Sequence, residues 1–179
     1  MAFLPPEAAE VLRREMVQGR APVTLENCER AVLAKLRTLR EEDFLPYDGG
    51  GEGLYRRVYR AVRAGTSVGE ILALAKTKRY PLSRLRRMIM AAWLALPPDV
   101  PAQPPYLRVL AANAAGRALL RQMRGSGAPV LTKPADAPAL GREAAALLTL
   151  ESRCTDLRAL ACPDPGRPGA DTRAVPLML

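Results

Sequence analysis

The sequence predicts a mainly α-helical protein with a small α/β element: a helical bundle, then a βαβ unit with a two-stranded parallel sheet, and a C-terminal helix. In the first 97 residues, apolar residues recur at three- and four-residue spacing, the pattern of amphipathic helices. The stretch 97–105 contains five prolines, which exclude a helix or a central strand there. Beyond it, two short apolar runs flank one helical segment, which is typical of a right-handed βαβ unit.

The first two helices are indicated by residues at their ends. Segment 5–19 begins with prolines and ends with a glycine, the asymmetry expected of a short helix. Thr24 is the predicted N-cap of the second helix. The apolar residues of this second helix share one face: Leu25, Cys28, Val32, Leu36 and Leu39.

The glycine-rich segment 48–53 raises the question of a phosphate-binding loop. No apolar strand precedes it, and its spacing fits neither the dinucleotide fingerprint nor a P-loop. We therefore interpret it as a flexible lead-in to a third helix that starts near residues 52–53 and ends at Gly65. The residues that this helix directs inward are Leu54, Val58, Ala61 and Val62.

Two further helices surround the most basic part of the chain. Thr66 is the predicted N-cap of the fourth helix, with Glu70 close to its first turn. Pro81 suits the first turn of the fifth, because its missing N–H needs no partner there. The apolar stripe of the fifth helix comprises Leu85, Met88, Ile89, Ala92, Trp93 and Leu96. The residues off this stripe are Ser83, Arg84, Arg86 and Arg87, so the cations crowd into the first two turns.

The chain is expected to divide into three parts. Residues 1–97 form a helical subdomain with a basic, helix-turn-helix-like segment, and residues 106–162 form a small βαβ-plus-helix subdomain. The second subdomain reads as a strand in YLRVLAA, a helix in NAAGRALLRQMRG, a strand in APVLTK and a final helix from about Leu140 to Leu160. The core candidates of the final helix are Ala144, Leu147, Leu148, Cys154, Leu157 and Leu160. The tail 163–179 is rich in proline and glycine and is expected to be irregular.

The composition excludes several kinds of chemistry. The chain contains no histidine, which removes Ser-His and Cys-His nucleophile systems and most zinc sites. Its three cysteines are too few for a disulfide framework or a closed metal site and fit a reducing cytoplasm. The N-terminus lacks the basic region of a signal peptide, and no apolar run approaches the roughly 20 residues that span a bilayer. We therefore expect a cytoplasmic protein that is not catalytic by itself and binds neither metal nor membrane.

The positive charge of the chain is confined to one stretch. The net charge is +9. Residues 54–87 contain ten basic residues and one acid, an excess of nine, while the rest of the chain has 17 of each and is neutral. A local excess of this kind indicates a contact with a polyanion better than a uniformly basic protein would.

The candidate RNA-binding residues lie in this stretch: Lys76, Lys78, Arg79, Tyr80, Arg84 and Arg87. The first three occupy a predicted turn, and Arg84 and Arg87 are one helical turn apart on one face. Cations in this arrangement can neutralise successive phosphates, which makes binding sensitive to salt. Tyr80 offers a ring that can stack on an unpaired base.

Other interpretations of the same residues stay open. A charged helical face is often only solvated, and arginine stems often cover apolar surface. Tyr80 can equally be half-buried core. The stripe 85–96 can serve a docking or oligomerisation module without direct RNA contact, and residues 66–96 can form a DNA-binding helix-turn-helix. The latter lacks an Asn or Gln placed to read bases.

The order of several motifs resembles bacterial tRNA(Met) cytidine acetate ligase, specifically its C-terminal half. The motifs are LPPEAAEVLRRE, GRAPVTLENCERAVLAKLRTL, EGLYRRV, AKTKRYPLSRLRRMIM, YLRVLAANAAGRALL, PVLTKP and TDLRAL, of which KTKRY followed by SRLRR is the most specific. Pro81 stands where a threonine is expected after KTKRY. Residues 111–113 replace a turn that contains glycine, so local geometry there can differ.

This resemblance implies a parent enzyme with an N-terminal Rossmann-type domain that binds ATP. Such enzymes activate acetate as acetyl-adenylate and acetylate the wobble cytidine of elongator methionine tRNA. The chain starts where that domain should have ended, so ATP and acetate are implied for the parent enzyme and no cofactor is expected in this chain. The implied partners are tRNA and the ATP-binding domain of the same protein, and homo-oligomer formation stays open. The six candidate residues are thereby placed in the tRNA-facing half of the enzyme.

Overall fold

The fold is mainly α-helical with a small α/β element, so the predicted class is confirmed. This computed structural model describes residues 3–51, 53–99, 103–123, 126–127 and 129–179. The helices are α1 Pro6–Val17, α2 Glu29–Thr38, α3 Leu54–Ala64, α4 Val68–Ala75, α5 Leu82–Leu94, α6 Ala114–Met123, α7 Arg142–Ala159 and α8 Ala170–Arg173. The strands are β1 Leu107–Arg108, β2 Ala111–Ala112, β3 Val130–Leu131 and β4 Leu177–Met178. Three 3₁₀ turns, Leu25–Cys28, Glu42–Tyr47 and Pro134–Ala139, connect them.

The chain divides into two compact units. Unit 1 comprises Met1–Pro98 with Leu157–Pro165, and unit 2 comprises Asp99–Asp156 with Gly166–Leu179. The sequence had placed residues 157–162 in the second subdomain. They join unit 1 because Ala161 is buried in its core and Leu157 packs against that core.

The core of unit 1 is built from the apolar faces of α2 to α5. Its fully buried apolar side chains include Val32, Leu36, Phe44, Leu54, Val58, Val62, Ile71, Leu85 and Ile89. The predicted stripe of α5 is buried from Leu85 to Trp93, and Leu96 is half-buried. Because this stripe packs inside the unit itself, it offers no free apolar face for the docking module considered above.

Two helix starts differ from the prediction. Thr24 precedes the 3₁₀ turn Leu25–Cys28, and α2 begins only at Glu29. Ser67, not Thr66, is the N-cap of α4, because its Oγ accepts a hydrogen bond from the Glu70 N–H at 3.0 Å. Thr66 instead donates its own N–H and hydroxyl to the Glu70 carboxylate, at 2.8 and 2.7 Å. Two adjacent hydroxyl residues thus share the capping of one helix.

Unit 2 contains the predicted βαβ arrangement. Strands β1 and β3 pair in parallel, Leu107 with Val130 and Arg108 with Leu131, and α6 lies between them in the chain. The segment predicted as one strand, YLRVLAA, forms two strands, because its second half pairs elsewhere: β2 pairs in parallel with β4 of the tail. The buried core of this unit is Tyr106, Leu131 and Ala144.

The C-terminal segments differ partly from expectation. The tail 163–179, expected to be irregular, contains α8 and β4. The Leu177 N–H donates to the carbonyl of Leu110, and the Leu179 N–H donates to the carbonyl of Ala112. Among the core candidates of the predicted final helix, Ala144 is buried, whereas Leu160, which follows the last residue of α7, is exposed. No helix among the described residues is long and apolar enough to cross a bilayer.

Candidate nucleic-acid interface

The cationic loop between α4 and α5 is exposed. Helix α4 ends at Ala75, and α5 begins at Leu82, so Lys76, Lys78 and Arg79 occupy the turn that joins them. All three are exposed, as is Arg87 on α5. Within the described residues, the side chains of Lys76, Lys78 and Arg87 make no hydrogen bond and no ion pair. Their charges are therefore available to a ligand.

Tyr80 lies in the core rather than on the surface. Its side chain is only 8% exposed and belongs to the buried cluster of unit 1. The guanidinium carbons of Arg79 and Arg84 lie 5.8 and 5.6 Å from the centre of its ring, within range of a cation–π interaction. The expected stacking of Tyr80 on an unpaired base is therefore not possible in this structure, because the ring is already covered.

Arg84 is anchored inside the protein. Its guanidinium donates to the Asp48 carbonyl at 2.5 Å and lies 3.9 Å from Asp48 Oδ1. Asp48 is 1% exposed, and its Oδ2 accepts a hydrogen bond from the Gly53 N–H at 3.1 Å. A buried carboxylate without a cation is strongly unfavourable, so Arg84 is committed to this contact. Arg84 thus ties α5 to the glycine-rich segment, and its contact with a phosphate stays a prediction.

A row of arginines on α3 enlarges the basic area. Arg56, Arg57 and Arg60 are exposed and line an open groove of about 400 Å³, which Leu74 also borders. Arg57 donates to the carbonyls of Ala75 and Leu74 at 2.7 and 3.1 Å, and so caps the C-terminal end of α4. This contact places the α3 row beside the start of the cationic loop. These arginines belong to the charge excess of residues 54–87 but not to the predicted site, although that same charge excess is a signal that could have placed them there.

The one acid of residues 54–87 does not neutralise the loop. Glu70 lies in the first turn of α4, whereas Lys76 follows the last turn of that helix. Its carboxylate accepts both donors of Thr66, and the Thr66 hydroxyl and N–H hold the pKa of Glu70 below its usual value. At about 1.5 Å of rise per residue, Glu70 and the loop lie on the order of 10 Å apart along the axis of α4.

Exposed cations lie on the loop, on α3 and on α5. We call the set Arg56, Arg60, Lys76, Lys78, Arg79 and Arg87 the basic surface.

Unit 2 carries a polar cluster of a different kind. The buried phenol of Tyr106 donates to Glu151 Oε2 at 2.6 Å, and Arg108 pairs with Asp171 Oδ2 at 2.6 Å. Burial, followed by the hydrogen bond to the Glu151 carboxylate, raises the pKa of Tyr106 well above the ordinary tyrosine range. Hydrogen bonding to Asp171 likewise raises the pKa of Arg108. These pairs link β1 to α7 and to α8, and they hold the unit together.

Because the pKa of Tyr106 is raised in the folded protein, the free energy of unfolding is expected to decrease at alkaline pH. The unfolded phenol titrates near pH 10, below the folded one. The contribution of the protonated Tyr106 phenol to stability is therefore complete below about pH 10. It is lost as the pH rises through the pKa of Tyr106 in the folded protein. In an absorbance titration at alkaline pH, we expect the Tyr106→Phe variant to lack the last phenol to ionise. An unchanged titration curve for Tyr106→Phe would contradict this assignment.

The described residues hold no group of three or more His, Cys, Asp or Glu side chains arranged to bind a metal. Burial raises the pKa of the Cys28 and Cys154 thiols, which keeps them protonated at neutral pH. The exposed cations of unit 1 can bind an anion.

Comparison with known proteins identifies relatives of this chain. The family model described as HIGH Nucleotidyl Transferase matches residues 1–169. The tRNA(Met) cytidine acetate ligase of Kosmotoga olearia is 36% identical over 137 residues, 73% of this chain and 32% of the relative. The ligase of Syntrophomonas wolfei is 25% identical over 96% of this chain and 44% of the relative.

Solved structures of related proteins are also similar to this chain. A crystal structure of apo Thermotoga maritima TmcAL superposes with a TM-score of 0.82 at 25% identity and covers 98% of this chain and 46% of the solved chain. The same protein bound with alpha-thio ATP gives a TM-score of 0.82 and covers 98% of this chain. The chain thus spans about a third of the length of the first curated relatives and under half of the solved ones. The family model covers most of its residues, and this chain belongs to the HIGH nucleotidyl transferase family.

Proposed function

We propose that this chain is the tRNA-binding, C-terminal module of an ATP-dependent ligase that acetylates the wobble cytidine of elongator methionine tRNA. The observation that carries the proposal is the basic surface: exposed cations on a loop and two helices, with Glu70 at the far end of α4. The relatives named tRNA(Met) cytidine acetate ligase support the choice of tRNA as the polyanion.

The basic surface is suited to a phosphate backbone for two reasons. Lys76 and Lys78 sit on a turn and have no carboxylate partner among the described side chains, so they bind a phosphate without first breaking an ion pair. Each phosphate that they neutralise releases condensed counterions, which is the main source of affinity in such contacts. At the edge of the surface, Arg56 pairs with Glu41 at 3.5 Å, and this ion pair is solvent-exposed and therefore weak.

Tyr80 and Arg84 have a positioning role in this proposal rather than direct contact with RNA. The Tyr80 ring anchors the end of the loop in the core, and Arg84 anchors the first turn of α5 on Asp48. A loop held at both ends loses less conformational entropy when it binds. Lys76, Lys78, Arg79 and Arg87 are the residues that we assign to the phosphates.

The rest of the reaction belongs to the parent enzyme. In our proposal, an ATP-binding domain of the same protein activates acetate, and this chain holds the tRNA in the cytoplasm. The relative solved with alpha-thio ATP supports a role for ATP in the parent enzyme. No residue of this chain is assigned to ATP or to acetate.

A salt titration tests the proposal. Binding of methionine tRNA to the full 179-residue chain is measured by fluorescence anisotropy between low and moderate salt. With four phosphates bound by Lys76, Lys78, Arg79 and Arg87, log K is expected to fall with log [salt] at a slope of about −3 to −4. Absence of binding at low salt, or binding that does not change with salt, would contradict the proposal.

A further inference from the structure

A second groove, in unit 2, is lined by cations together with apolar side chains. It has a volume of about 680 Å³ and runs along α6, beside the ends of β3 and β4. We call it the α6 groove and define it by Arg117, Leu120, Arg121, Met123, Lys133 and Met178. A groove of this size lies within the usual range of sites for small organic ligands, about 300–1,000 Å³.

The cations of the α6 groove converge. Arg117 and Arg121 are four residues apart on α6 and therefore share one face of that helix, with their Cβ atoms about 6 Å apart. Lys133, directly after β3, lines the same groove. All three are exposed, and among the described side chains none of them forms an ion pair.

The acid at the α6 groove is already engaged. One oxygen of Asp136 accepts hydrogen bonds from the Thr132 N–H, the Thr132 hydroxyl and the Lys133 N–H, at 2.8, 2.9 and 3.0 Å. These donors hold the pKa of Asp136 below its usual value, so it carries a charge that local dipoles compensate. The groove is lined by three cations, Arg117, Arg121 and Lys133, and by the carboxylate of Asp136, so its net charge is positive.

Apolar side chains also line the α6 groove. Leu120, Met123 and Met178 line it together with the cations, and Met178 is 55% exposed. Methionine sulfur packs favourably against aromatic rings, and a nucleobase presents such a ring. Helix α6 itself has no buried residue, so these side chains are not consumed by a core. Sites for single strands combine a positively charged groove with side chains on which the bases stack, and here Leu120, Met123 and Met178 are the side chains available to a base.

We propose that the α6 groove binds an unpaired nucleotide of an RNA strand. The base lies on Leu120, Met123 and Met178, and the flanking phosphates pair with Arg117, Arg121 and Lys133. The choice of RNA as the ligand rests on the proposed function. The groove itself lies in unit 2, whereas the basic surface lies in unit 1. A protein with two such sites reads an unpaired segment of its RNA as well as the backbone.

The test compares single-stranded and duplex RNA on the full chain. The probe is a fluorescent single-stranded RNA of about ten nucleotides, which is within the usual site size of such grooves. The groove variant is Arg117→Glu with Arg121→Glu, and its matched control is Arg142→Glu with Arg167→Glu, two exposed arginines of unit 2 outside the groove. Because α6 buries no residue, the groove variant should fold, which circular dichroism checks.

We expect the groove variant to bind the single strand at least tenfold more weakly than its control. Its salt slope should shrink by about 1.4, which corresponds to two lost phosphate contacts on a single strand. Met178→Ser should weaken binding without changing the slope of log K against log [salt], because it removes an apolar contact and no charge. Equal affinity of the groove variant and the control, equal losses on duplex RNA, or displacement of the probe by an acidic peptide as readily as by RNA would overturn the inference.

The outcome for the α6 groove can be separated from that for the proposed function. If Lys76→Glu with Lys78→Glu weakens tRNA binding while the groove variant does not, the groove inference fails and the proposed function stands. If the single strand binds through the groove while tRNA binding is insensitive to salt and to the loop variant, the proposed function fails and the groove stands.

Discussion

Reversal of three exposed charges, Lys76→Glu, Lys78→Glu and Arg87→Glu, is expected to weaken binding of methionine tRNA on the order of 10²-fold at low salt. The physical reason is the loss of three phosphate contacts together with new repulsion. Each lost contact should also reduce the slope of log K against log [salt] by about 1, so the slope falls by about 3. Anisotropy titrations of the full chain at several salt concentrations measure both quantities.

The matched control changes the net charge equally at another place in unit 1. Arg13, Arg30 and Lys35 are exposed cations outside the basic stretch, and their reversal to glutamate also changes the net charge by six units. We expect this control to weaken binding only slightly and to keep most of the salt slope. Equal losses in the two variants would mean that the overall charge of the chain, and not the basic surface, determines affinity.

Replacement of Arg84 by alanine is expected to lower the free energy of unfolding by about 2–3 kcal/mol. The substitution leaves the Asp48 carboxylate buried without its cation, and breaking a buried ion pair commonly costs about 3–5 kcal/mol. The lower figure follows because the Arg84 side chain is 27% exposed and water screens part of the interaction. Urea unfolding measures the change. Arg87→Ala, a fully surface position on the same helix, should change it by no more than about 0.5 kcal/mol.

A second variant shows whether the loss comes from the charge left on Asp48. Asp48→Asn combined with Arg84→Met removes both charges and keeps much of the volume. We expect this double variant to be more stable than Arg84→Ala, because neither group is then an unpaired ion in the core. If Arg84→Ala is as stable as Arg87→Ala, the anchoring role of Arg84 is wrong and its guanidinium is available to RNA after all.

The local features of the fold could be predicted from the sequence. The stripes of α3 and α5 are buried as predicted, because three- and four-residue spacing alone determines which side of a helix is apolar. The exposure of Arg87 follows from the same pattern, and that of Lys76 and Lys78 from their place in the predicted turn between two helices. The class of the fold could therefore be derived without a structure.

The features that the sequence did not reveal depend on distant partners. Arg84 is held by Asp48, 36 residues earlier in the chain, and no spacing rule connects the two. The tail strand β4 pairs with Ala111 and Ala112, so its two residues become ordered only through a contact far from them in sequence. The position of Tyr80 among cations predicts a ring that is available for stacking, whereas its burial is decided by the packing of several helices.

The chain contains four lysines, which allows one measurement to address the basic surface directly. Lys35, Lys76, Lys78 and Lys133 are all exposed, and the rate at which each reacts with an acetylating reagent can be followed by mass spectrometry. With tRNA bound, we predict slower labelling of Lys76 and Lys78 and an unchanged rate for Lys35. Labelling of Lys76 and Lys78 at the same rate with and without saturating tRNA would contradict the assignment of the basic surface to RNA.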